Sequence, residues 1–170
     1  MARQLDVSLF RTVCPDVLGA SFQEGPEPTV HISTSGIRSG VEIRTAFRRC
    51  YGVDVRRVLF VDGLEWPGEG WCDHRDATTG TPSEARLEYV YAQPSGPLEQ
   101  ALSEFWKELL EVRDIGVSDE FWEHGGDSLG TVETIEFLNQ EYGVLIDFFE
   151  VGDKFTVARL AGLVRERSRP

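Results

Sequence analysis

Long apolar runs are missing from this sequence. No stretch approaches the ~20 apolar residues of a membrane-spanning helix, so no membrane partner is expected. The opening Met-Ala-Arg-Gln-Leu-Asp lacks the apolar core of a secretion signal. Cysteine is scarce: Cys14, Cys50 and Cys72 are too few and too scattered to staple a fold. Reduced thiols and a cytoplasmic setting are the expectation. Histidine is limited to His31, His74 and His124. Cys72-Asp73-His74 has no second ligand pair at a spacing that completes a tetrahedral set, so no metal site is expected. Positive charge is also short. The formal net charge of −12 speaks against nucleic acid, whose phosphates it would repel.

What is present is core material. Of 170 residues, 41% are apolar and 27% charged, with 4 Trp and 10 Phe, which suits one full domain or two small ones. Residues 95–170 hold 16 acidic against 7 basic residues, a net of −9, whereas residues 1–94 hold 13 against 10, a net of −3. Between the halves, residues 77–97 are rich in Gly, Pro, Ser and Thr and break periodicity. The expected division is a first domain over 1–76, a linker over 77–94 and a second domain over 95–170. Within the linker, Leu-Glu-Tyr-Val-Tyr has the character of a short extended segment resting on a neighbour.

The first domain reads α-β-β-α-β, a small sheet with helices packed on it. Leu5, Leu9 and Val13 recur at helical spacing until Pro15. Val17–Phe22 and Thr29–Ser33 are strand candidates, Val41–Cys50 is a helix with Ile43, Ala46, Phe47 and Cys50 on one face, and Val55–Val61 is a third strand. Arg44, Arg48, Arg49, Arg56 and Arg57 form either a solvated face or a contact patch for an acidic partner. The second domain reads all-α, with Val144-Leu145-Ile146 as its one strand candidate. Pro97 opens a helix carrying Leu98, Ala101, Leu102, Phe105 and Leu109; Phe121 and Trp122 plug the core from a loop. Leu129, Val132, Ile135 and Leu138 face inward on a second helix, Asp147–Val151 adds a helical turn, and Thr156 caps a last helix with Val157, Leu160, Leu163 and Val164 inside. A four-helix bundle satisfies these faces.

The chemistry concentrates at Gly125-Gly126-Asp127-Ser128-Leu129. Three readings are open. A GDSL-type serine esterase would need a general base, and no histidine follows Ser128. An ordinary helix cap needs only Asp or Ser at the first turn. A phosphodiester attachment point needs an exposed hydroxyl at a helix N-terminus, where N–H groups and the dipole favour an anion. It also needs little bulk upstream, which Gly125 and Gly126 provide, and a carboxylate such as Asp127 to help hold the metal that accompanies the donor phosphate. His124 reads as a local hydrogen-bonding or surface residue.

Residues 97–165 resemble the peptidyl and acyl carrier domains of nonribosomal peptide synthetases. The resemblance is carried by P-L-E-Q-A-L-S-E-F-W-K-E-L-L-E-V, I-G-V-S-D-E-F-W-E-H-G-G-D-S-L and F-T-V-A-R-L-A-G-L-V. It implies a 4′-phosphopantetheine arm attached covalently to Ser128, with a thiol that holds cargo as a thioester. The helix after the serine, T-V-E-T-I-E-F-L-N-Q-E-Y-G-V, looks more like that of fatty-acid or polyketide carriers. Its Glu133, Glu136 and Glu141 form either a solvated face or a surface for basic partners.

L-E-W-P-G-E-G-W-C-D-H at 64–74 resembles the terminal motif of adenylation enzymes, L-P-x-T-P-x-G-K-V-D-R. Leu64, Gly70 and Asp73 match, but the family's lysine falls on Trp71 and its arginine on His74. Residues 5–76 thus resemble the small C-terminal subdomain of such an enzyme in degenerate form. An indole cannot replace the cation that bridges carboxylate and phosphate. The expectation is a stand-alone carrier without adenylation activity, loaded in trans with an aminoacyl or acyl group. Implied partners are a phosphopantetheinyl transferase, a trans-acting adenylation enzyme and downstream condensation or tailoring enzymes. The first domain would scaffold the carrier or dock a partner through Trp66 and Trp71; an unmodified scaffold is the remaining alternative.

Overall fold

The computed structural model describes residues 7–61, 87–151 and 154–168. It divides into two compact units, 1–90 and 91–170.

In the first unit, α1 (Val7–Val13), β1 (Val17–Gln23), β2 (Thr29–Thr34), α2 (Gly40–Tyr51) and β3 (Arg57–Phe60) follow the expected order. The structure adds β4 (Leu87–Val90), so the sheet has four strands in the order β1-β2-β3-β4. β2 pairs antiparallel with β1 and parallel with β3, and α2 makes the crossover. The segment expected in the linker is thus an edge strand, antiparallel to β3 with Arg57 opposite Val90 and Phe60 opposite Leu87. Arg57 Nε donates to Glu88 Oε1 at 2.8 Å across this edge. Gly40 is needed because a Cβ there would lie 2.1 Å from the Cβ of Tyr89.

Phe47 centres the core, with ring centroids 5.1 Å from Phe22, 5.9 Å from Phe10 and 4.8 Å from Tyr51. The inward face of α1 differs from the expected one. Phe10 and Cys14 are buried while Leu9 is exposed, because an aromatic ring one position on fills the space over Phe47. α2 starts with a capping box between Ser39 and Glu42 and stops at left-handed Gly52. The arginine group is largely spent within the unit. Arg44 is buried and donates to the Val55 carbonyl at 3.0 Å, Arg48 pairs with Asp54, and Arg57 pairs with Glu88; Arg49 is exposed.

The second unit is helical, with α3 (Pro97–Leu109), a 3-10 turn (Phe121–His124), α4 (Ser128–Tyr142), the single turn α5 (Phe148–Val151) and α6 (Val157–Arg167). Pro97 opens α3 at its first turn. The core is an aromatic stack that the apolar spacing of α3 did not show. Trp106 is fully buried, 4.8 Å from the ring of Phe121 and 5.6 Å from that of Phe155. Trp122, expected inside, is 43% exposed. Val144-Leu145-Ile146 is not a strand. Val144 and Ile146 are buried and Leu145 is exposed, and the segment pairs with no strand among the described residues.

α4 departs most from expectation. Its buried residues are Gly130, Thr131, Thr134 and Leu138. Leu129 and Val132, expected inside, are 65% and 58% exposed. The reason is an aromatic one: a Cβ at Gly130 would lie 2.8 Å from Phe121 Cζ, so the helix approaches the Phe121 ring on its small-residue side.

Candidate functional site

The site is the start of α4. Phe121 enters the core, and its N–H donates to the Phe155 carbonyl at 3.0 Å, which ties the 3-10 turn to the segment before α6, where Glu120 and Thr156 form an isolated bridge. The turn ends at Gly125, whose φ of +88° is left-handed, so this glycine is demanded by the backbone. Gly126 is demanded by packing: a Cβ there would sit 2.2 Å from Phe121 Cδ1.

Asp127 is the N-cap. Its backbone is extended, and its Oδ1 accepts the Gly130 N–H at 2.8 Å. The Asp127 carbonyl accepts the N–H and the hydroxyl of Thr131, each at 3.0 Å. Ser128 is the first residue of α4 and is exposed, as is Leu129. With the Gly130 and Thr131 N–H groups taken, those of Ser128 and Leu129 remain for an acceptor from outside. Deeper in the helix, the Thr134 hydroxyl donates to the Gly130 carbonyl at 2.7 Å and accepts from Trp106 Nε1 at 3.1 Å. The inner side of the first turns is therefore tied to α3, and the outer side carries Ser128, Leu129 and Val132.

Behind the turn, His124 Nε2 lies 3.0 Å from Asp119 Oδ2, and the same oxygen accepts the Gly116 N–H at 2.8 Å. Both side chains are buried. His124 is thus an internal residue. Ser128 follows a 3-10 turn and not a buried strand, so the backbone setting of an esterase nucleophile is not found here. Glu136 is exposed and accepts from Gln140 at 2.9 Å, and Glu133 is half-buried. Trp66, Trp71, Cys72, Asp73 and His74 lie outside the described residues. Among the described residues, no cluster of His, Cys, Asp or Glu could hold a metal, and no helix is long and apolar enough to cross a membrane.

The site is thus an exposed serine at the mouth of a helix, on a domain whose inner side is locked by aromatic and hydroxyl contacts. Residues 100–164 match the family model described as the phosphopantetheine attachment site, and this part of the chain belongs to that family. Tyrocidine synthase 3 of Brevibacillus parabrevis is 32% identical over 106 residues, 62% of this chain and 2% of that protein. AMB antimetabolite synthetase AmbE of Pseudomonas aeruginosa is 31% identical over 114 residues, 67% of this chain and 5% of that protein. A solved structure of the phosphopantetheine transferase Sfp with coenzyme A and a peptidyl carrier protein holds a chain 30% identical, covering 45% of this chain and 100% of that one, at a TM-score of 0.43. This chain therefore spans a few per cent of the length of the curated relatives it matches.

The attachment group fits what Ser128 offers. The phosphodiester requires an accessible serine, and Ser128 is exposed at the first turn of α4, where the N–H groups of a helix start suit its oxygens. Sequence reading missed Gly130, Thr131, Thr134 and Trp106, which hold the serine in place. The signal available was the run of small and hydroxyl residues directly after Ser128.

Proposed function

We propose that Ser128 carries the 4′-phosphopantetheine arm and that the chain is a carrier in nonribosomal peptide or related specialised-metabolite assembly. The observation that carries this reading is the exposed hydroxyl of Ser128 at the first turn of α4, inside the family match over 100–164. The relatives' names, a tyrocidine synthase and an antimetabolite synthetase, support a place in such an assembly. In the modification, Ser128 Oγ attacks the pantetheine-bearing phosphorus of coenzyme A and its proton passes to a base of the transferase. The Oγ–P bond forms as the diphosphate P–O bond breaks, which releases adenosine 3′,5′-bisphosphate. The arm then supplies the thiol that binds cargo as a thioester. Asp127 caps the helix and holds Gly130. Leu129, Val132, Glu133 and Glu136 form the surface met by the transferase and by later partners, and the helices pack as a four-helix carrier bundle.

Residues 1–76 are a degenerate adenylation-type subdomain that does not activate cargo, because Trp71 stands where the resemblance places a lysine. Loading comes in trans, and the carrier meets condensation or tailoring enzymes afterwards. Incubation with coenzyme A and a broad-specificity phosphopantetheinyl transferase tests the first point. Intact mass rises by one arm in the wild type and not in Ser128→Ala; an increment retained in Ser128→Ala refutes the assignment. ATP–pyrophosphate exchange with a panel of amino and aryl acids stays at background for the chain alone, and robust exchange refutes the second point.

A further inference from the structure

The buried His124–Asp119 pair is the part of the site that attachment chemistry leaves without a task. We propose that His124 is a positioning residue for Ser128: its ring, gripped by Asp119, fixes the 3-10 turn that leads into α4. The proposal rests on the reading of Ser128 as the attachment residue and adds what sets that serine's place.

Asp119 is a rigid anchor. Its side chain is 1% exposed and its Oδ2 accepts the Gly116 N–H at 2.8 Å. A side chain has no room at Gly116, where a Cβ would lie 2.7 Å from Asp119 Oδ1 and 3.0 Å from Tyr91 Cδ2. A carboxylate that already accepts a backbone N–H is an acceptor for the imidazole too, so the hydrogen sits on His124 Nε2, 3.0 Å away. The His124 side chain is 6% exposed, and turning it outward would strip a buried carboxylate of a partner.

The geometry of the turn gives this anchor its effect. Phe121 fixes the start of the turn through its buried ring and its bond to the Phe155 carbonyl. His124 is the last residue of the turn, and its ring holds the other end. Beyond it come Gly125 and Gly126, which have no side chains to fix the path and rely on backbone bonds to Trp122 and Phe121, both 3.1 Å. Asp127 and Ser128 follow directly. With His124 released, the two glycines are where the path into Asp127 and Ser128 loses its fixed direction, while α4 from Gly130 on stays held against Phe121 and by the Trp106–Thr134 hydrogen bond.

The experiment uses the full chain, coenzyme A and a broad-specificity phosphopantetheinyl transferase, with initial rates read by intact mass over a range of carrier concentrations. If wild-type protein gains no arm, the reading of Ser128 itself has failed, and the result is distinct from any outcome below. His124→Leu keeps bulk without a donor, and kcat is expected to fall about tenfold with KM nearly unchanged, as misplacement of a reacting group does. His124→Gln, whose amide still donates to Asp119, recovers most of that loss. Wild-type kcat in His124→Leu, a change confined to KM, or equal losses in the Leu and Gln variants would each overturn the proposal. If His124→Leu is unfolded at the assay temperature, wild-type protein with 15N-labelled histidine decides. A slowly exchanging Nε2–H on His124 supports the anchor, and an Nδ1–H tautomer or rapid averaging refutes it.

Discussion

Gly126→Ala is the sharpest perturbation of the site that leaves its chemistry untouched. The added methyl carbon would lie 2.2 Å from Phe121 Cδ1, 2.3 Å from Cε1 and 2.7 Å from Cγ, where carbon atoms rest about 3.5–4.0 Å apart. Either the ring or the chain must therefore move by more than an ångström. The ring has nowhere to go, because Phe121 is fully buried with Trp106 at 4.8 Å and Phe155 at 5.2 Å. Overpacking of this kind costs about 1–3 kcal/mol, and this contact belongs at the upper end. For a unit of this size, 2–3 kcal/mol corresponds to a melting temperature lower by roughly 8–20 °C.

Gly125→Ala is the internal control. Nothing lies within 4 Å of its Cβ position, so only the left-handed backbone opposes it, at about 1–2 kcal/mol. The assay is thermal or urea unfolding followed through amide signals of residues 97–167, so that the carrier unit is read apart from the first. Gly126→Ala should be the more destabilised of the two, and Phe121→Leu in the same chain should reduce the added cost. A Gly126→Ala protein as stable as wild type, or a larger loss in Gly125→Ala, would refute the packing argument.

Other predictions concern the supports around this site. Thr134→Val leaves the buried Trp106 N–H without its acceptor and should cost about 1–3 kcal/mol, whereas Thr134→Ser, which keeps the oxygen, should cost less; urea unfolding of the same unit checks both. Arg165, 2.8 Å from Glu99 Oε1, and then the Ser95 N–H hold the Glu99 carboxyl below its usual range. Its contribution is present above the ordinary glutamate value of about 4.3 and is lost as pH falls through the depressed folded value. Glu99→Gln should therefore lower stability at pH 7, by no more than about 1 kcal/mol because Arg165 is half exposed to solvent, and the difference should close in acid. Leu129→Asp and Val132→Asp should leave the melting temperature nearly unchanged and raise KM for the transferase, which steady-state modification rates will show.

The legible parts of the fold were those with strong local signals. Pro97 and Thr156 mark helix starts in the sequence and mark them in the structure, whereas the Ser39–Glu42 capping box and the left-handed Gly52 that bound α2 came from the structure. β4 was harder to read because it spans only four residues in a stretch rich in Gly, Pro, Ser and Thr. Its reason for being a strand is non-local: β3 offers a free edge, and Gly40 leaves room for Tyr89. Trp106 and Phe121 were visible as aromatics, but no periodicity announces that they stack on each other. At the site, the sequence showed the serine and the two glycines. The reasons for the glycines came from the structure, one from a left-handed backbone and one from the underside of an aromatic ring.

The misread face of α4 has a geometric cause that bears on function. Leu129, Val132, Ile135 and Leu138 are spaced by three, and each such step turns by about 300° on a helix of 3.6 residues per turn. After three steps Leu138 stands about 180° from Leu129, so the four residues wind around the helix and cannot form one inward stripe. The structure agrees at both ends, with Leu138 buried and Leu129 exposed. By the same rotation Val132, Glu133 and Glu136 all fall within about 60° of Leu129. The outer face of α4 therefore mixes two large apolar side chains with two carboxylates next to Ser128. A face kept only for solvation would not need Leu129 and Val132, whose exposure gains nothing in folding. A face met by successive enzymes uses both kinds of group, since apolar contact supplies affinity and the carboxylates set orientation and encounter rate. The residues that defeated the amphipathic reading of α4 are thus the ones that support the proposal of a contact surface there.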